Sequence, residues 1–61
     1  PNEKIYKIVE EDCKIKPENI LFIDDSKENI DTAKKLGWNT CNAYGYELNK
    51  IKEKVKEFLN N

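Results

Sequence analysis

Four consecutive apolar residues, Ile20-Leu21-Phe22-Ile23, run directly into two adjacent carboxylates, Asp24-Asp25. No other segment limits the fold as much. Four residues are too few for a helix, and far too few for a membrane span. Two β-branched residues and an aromatic, without alternation, are the pattern of a strand covered on both faces, as in a parallel sheet. The rest of the chain must therefore supply helices to cover it and a second strand to pair with it.

The flanking segments fit that demand. From about Asn2 to Lys14, the apolar residues Ile5, Ile8, Val9 and Cys13 recur at helical spacing, and Pro17 prevents this helix from continuing. A second helix is predicted from Ser26 to Leu36. Its stripe is Ile30, Ala33 and Leu36, its last turn carries Lys34 and Lys35, and Gly37 stands where a helix C-cap belongs. The stretch from Trp38 to Tyr44 alternates weakly and reads as a second strand ended by Gly45. From Glu47 to Leu59 a third helix places Leu48, Ile51, Val55, Phe58 and Leu59 on one face and Lys and Glu on the other. The order α-β-α-β-α predicts an α/β fold with a two-stranded parallel sheet.

Size and charge narrow the function classes. The chain has 61 residues, no His and two Cys, with a formal net charge of -1. That is one small domain, which buries only about 60% of the surface its unfolded chain exposes. Two cysteines cannot build a disulfide framework, nor a zinc site without His. The eleven lysines and twelve acids are interspersed, so no basic face for nucleic acid stands out. No apolar run reaches membrane length and no signal peptide is visible, which points to a cytoplasmic protein with free thiols. Cys13 and Cys41 read as small buried hydrophobes, since no His is present to activate a thiol. Trp38 reads as packing under the sheet, and Tyr44 and Tyr46 as loop packing.

The chemistry-bearing candidates sit where the first strand ends. In open α/β sheets, ligands bind just outside the carboxyl ends of the strands. Adjacent Asp24 and Asp25 repel each other, a hard cation such as Mg²⁺ relieves that repulsion, and Asn29 adds an amide able to orient a carboxylate. Spacing alone also allows a plainer role in helix capping. Asp25 with Glu28 fits a capping box loosely, and Ser26 is a second candidate cap.

The segment Ile20 to Ile30 (ILFIDDSKENI), followed by Ala33, Lys35-Leu36-Gly37 and Thr40, resembles the last catalytic motif of the haloacid dehalogenase (HAD) superfamily. Pro1 followed by Ile5-Tyr6 is similar to the segment that opens the preceding helix in many HAD phosphatases. The resemblance covers about Pro1 to Tyr44. It implies a single partial domain over 1-61, the C-terminal part of a Rossmann-like HAD core. The whole protein would be a Mg²⁺-dependent phosphatase that hydrolyses a small phosphorylated metabolite through an aspartyl-phosphate. By the same resemblance Asp25 is the direct metal ligand, Asp24 its outer-shell or water-mediated partner, and Asn29 and Ser26 support them. The Asp-x-Asp nucleophile motif, the Ser/Thr motif and the phosphate-binding Lys are not in these residues, so the chain alone is expected to be inactive. The nucleophile-bearing strand would lie beside Ile20 to Ile23. Two partners are therefore expected for that strand: the remainder of the HAD core, or a second copy through self-association. The rival expectation is a non-catalytic α/β binding or assembly module, in which Asp24-Asp25 only cap a helix.

Overall fold

The computed structural model describes residues 3–60. Helix α1 (Glu3–Cys13) is followed by a short 3-10 turn (Pro17–Asn19), strand β1 (Leu21–Asp24), helix α2 (Lys27–Lys35), strand β2 (Asn39–Asn42) and helix α3 (Leu48–Leu59). The strands pair in parallel, with Leu21 opposite Asn39, Phe22 opposite Thr40, Ile23 opposite Cys41 and Asp24 opposite Asn42. The predicted α/β order and two-stranded parallel sheet are present. Among the described residues, no helix is long and apolar enough to cross a membrane.

Two of the three helices end by the same device. After α2, Gly37 adopts φ +84. The Trp38 amide then donates to the Ala33 carbonyl at 3.0 Å and the Gly37 amide to the Lys34 carbonyl at 3.0 Å. This is the Schellman arrangement, and its left-handed position is where glycine costs least. After α1, Lys14 takes that position at φ 53. The Ile15 amide donates back to the Glu10 carbonyl at 3.3 Å. Pro17 then opens the 3-10 turn, with the preceding Lys16 extended at ψ 148, as a residue before proline must be.

The strand pleat divides the side chains between two faces. Phe22 and Asp24 point to the side of α1 and α2. Phe22 forms an aromatic cluster with Tyr6 of α1 and Trp38, with ring centroids 5.1–5.9 Å apart. Trp38 is fixed further by donating its indole N–H to the Glu10 carboxylate at 2.6 Å. On the opposite face, Phe58 and the Lys54 stem of α3 border a cleft shared with Leu21 and Cys41. Among the described residues the buried apolar set is small, namely Ile30, Ala33, Trp38 and Cys41.

Several expectations are corrected. The run Ile20 to Ile23 is not covered on both faces, because Ile23 is 39% exposed and none of β1 is fully buried. The physical reason is that, among the described residues, β1 has a strand neighbour on one edge only. Cys13 is exposed rather than buried, because it lies on the last turn of α1, beyond Tyr6 and Glu10, which hold the helix against Trp38; Cys41 is buried, and both thiols are free. Tyr44 and Tyr46 are exposed instead of packing into the loop. Trp38 does pack, on the α1 and α2 face of the sheet.

Candidate functional site

The C-terminal edge of the sheet carries the candidate residues. Asp24 is the last residue of β1, and its carbonyl accepts the Ala43 amide at 2.8 Å, tying the two strand ends together. The pleat turns its side chain toward α2. There Oδ2 accepts from the Asn29 side-chain amide at 3.0 Å and from the Ser26 backbone N–H at 3.3 Å. Ser26 is the N-cap of α2, and its hydroxyl oxygen accepts the Asn29 backbone N–H at 3.3 Å. This corrects the looser expectation that Asp25 and Glu28 form a capping box. Asp25 precedes the cap residue, so its carboxylate is one position too early to reach the amide at N3.

Asp24, Ser26 and Asn29 thus form one closed knot. Asn29 gives its side chain to Asp24 and its backbone N–H to Ser26, while its carbonyl lies 3.5 Å from the Tyr6 hydroxyl that donates to it. Asp25 stands outside the knot. It is exposed and, among the described residues, has no hydrogen bond or ion pair. The two adjacent acids therefore occupy different environments. One has a carboxylate oxygen committed to the fold; the other has both oxygens open to solvent beside the positive end of a helix dipole.

The neighbouring Lys27 is committed elsewhere. It donates to Asp31 at 2.8 Å across one helical turn. The hydrogen bond from Lys27, helped by the charges of Lys27 and Lys34, holds the Asp31 carboxyl below its ordinary value, and the same hydrogen bond to Asp31 raises Lys27. From β2, Asn42 turns its side-chain carbonyl onto the Tyr44 amide at 3.0 Å, which leaves the Tyr44 ring 79% exposed at the same end of the sheet.

Mg²⁺ prefers hard oxygen ligands and keeps several waters, so one or two carboxylates with substrate phosphate suffice to hold it. The open Asp25 carboxylate and the second Asp24 oxygen suit that chemistry. Among the described residues, no three His, Cys, Asp or Glu side chains converge into a fuller cage.

Of the four residues singled out in the sequence, Asp24, Ser26 and Asn29 are joined by hydrogen bonds, while Asp25 lies next in the chain and is not joined to them. Two supporting residues were not foreseen. Tyr6 reaches the Asn29 carbonyl, and Glu10 anchors Trp38. The only signal for the second contact was a carboxylate lying on the Tyr6 side of α1. No family model, curated protein or solved structure matches the chain.

Proposed function

We propose that the chain is the C-terminal part of a Mg²⁺-dependent HAD-type phosphohydrolase. The observation that carries this reading is the division between the two acids at the end of β1. Asp24 is aligned by Asn29 and Ser26, while Asp25 is left open with no structural task. In this reading Asp25 would hold Mg²⁺ directly, with Asp24 as its outer-shell or water-mediated partner, and the bound ion would supply charge to neutralise a phosphate. A nucleophilic Asp from outside these residues forms the aspartyl-phosphate, so the 61 residues alone do not turn over substrate.

The encoding gene tests this directly. The reading requires a Lys codon immediately before Pro1 and an Asp-x-Asp motif further upstream, and it fails if neither is encoded. The longer product should hydrolyse a generic phosphomonoester only with Mg²⁺, and Asp25→Ala should abolish that turnover.

The second reading, a non-catalytic α/β binding or assembly module, is favoured by one observation. The Asp24 carboxylate already has a complete structural explanation in the turn before α2. It predicts that Asp25→Ala changes nothing measurable in the presence of Mg²⁺.

A further inference from the structure

We draw no further inference here: the strongest candidate, the exposed Tyr44 ring in the loop after β2, one residue past the Ala43 amide that bonds the Asp24 carbonyl, borders the site already described, and nothing in the structure shows what covers it.

Discussion

Replacing Glu10 by Ala tests what holds α1 on the sheet. Glu10 accepts the Trp38 indole N–H at 2.6 Å, a short contact with a charged acceptor. Hydrogen bonds to charged groups contribute about 1.5–3 kcal/mol. Glu10 is only half-buried, which places its share at the lower end, about 1.5 kcal/mol. A chain of this length has a total stability of about 3–9 kcal/mol, so the loss is a large fraction of the whole. It corresponds to a fall in Tm of about 6–12 °C. Trp38 is the sole tryptophan, so its fluorescence reports both the unfolding transition in urea and the polarity around the lost contact. Glu11→Ala is the matched control. It changes helix propensity by the same amount at an exposed neighbouring position, so the difference between the two variants isolates the contact. If Glu10→Ala unfolds within about 0.5 kcal/mol of Glu11→Ala and Trp38 emission does not shift, α1 is not anchored in this way and the argument fails.

Three further predictions address the site and the caps. Asp24→Ala removes the acceptor for two hydrogen bonds and should cost about 1–3 kcal/mol in urea unfolding, whereas Asp25→Ala should stay within about 0.5 kcal/mol of wild type; equal losses would refute the division of roles. Gly37→Ala should destabilise by about 1–2 kcal/mol through its left-handed backbone alone, since a Cβ there would meet Pro17 at an ordinary 3.6 Å, while Lys14→Gly at φ 53 should change stability with the opposite sign; effects of the same sign would contradict the capping argument. The lowered Asp31 carboxyl adds stability above its unfolded value, lost as pH falls through the folded one, and the raised Lys27 adds stability below its unfolded value, lost as pH rises through the folded one, so the pair is intact between about pH 4 and pH 10. Lys27→Met should return the Asp31 midpoint, followed by carboxyl-carbon NMR, toward the ordinary range, and an unmoved midpoint would show that Lys27 is not the cause.

The elements were legible because their signals are local. A four-residue apolar run, a glycine after a periodic stripe and a proline after another are enough to give the order of strands and helices. Their ends shifted by a residue or more where cap geometry decides, as at Ser26, whose hydroxyl caps α2 and whose amide binds Asp24. The Asp24–Asn29 contact was also foreseeable, because five residues across a strand-to-helix turn bring a side-chain amide back to the strand end. What sequence could not give was the third dimension of burial. Continuous apolarity in β1 predicts two covered faces, but coverage depends on neighbours, and Ile23 is left partly open. The Glu10–Trp38 contact likewise joins residues 28 positions apart, and no local pattern encodes such a pairing.

The two readings of function converge on one physical point. A carboxylate pair is costly unless each member has a distinct occupation. The fold occupies Asp24 by turning it onto α2, where Asn29 and the Ser26 amide share its charge. The same pleat that sends Asp24 inward sends the chain past Asp25 without enclosing it, so that residue adds little to stability and stays open to solvent at the mouth of the strand. An acid with no structural role beside a structurally aligned one is the arrangement a hard cation can exploit, since binding would use oxygens that the fold does not need. The outer edge of β1 follows the same logic, because among the described residues Leu21 and Ile23 hold backbone groups that the two-stranded sheet leaves unpaired. Both features place unsatisfied chemistry on one strand, the carboxylate at its end and the backbone along its side, and both require a partner from outside that strand to be satisfied.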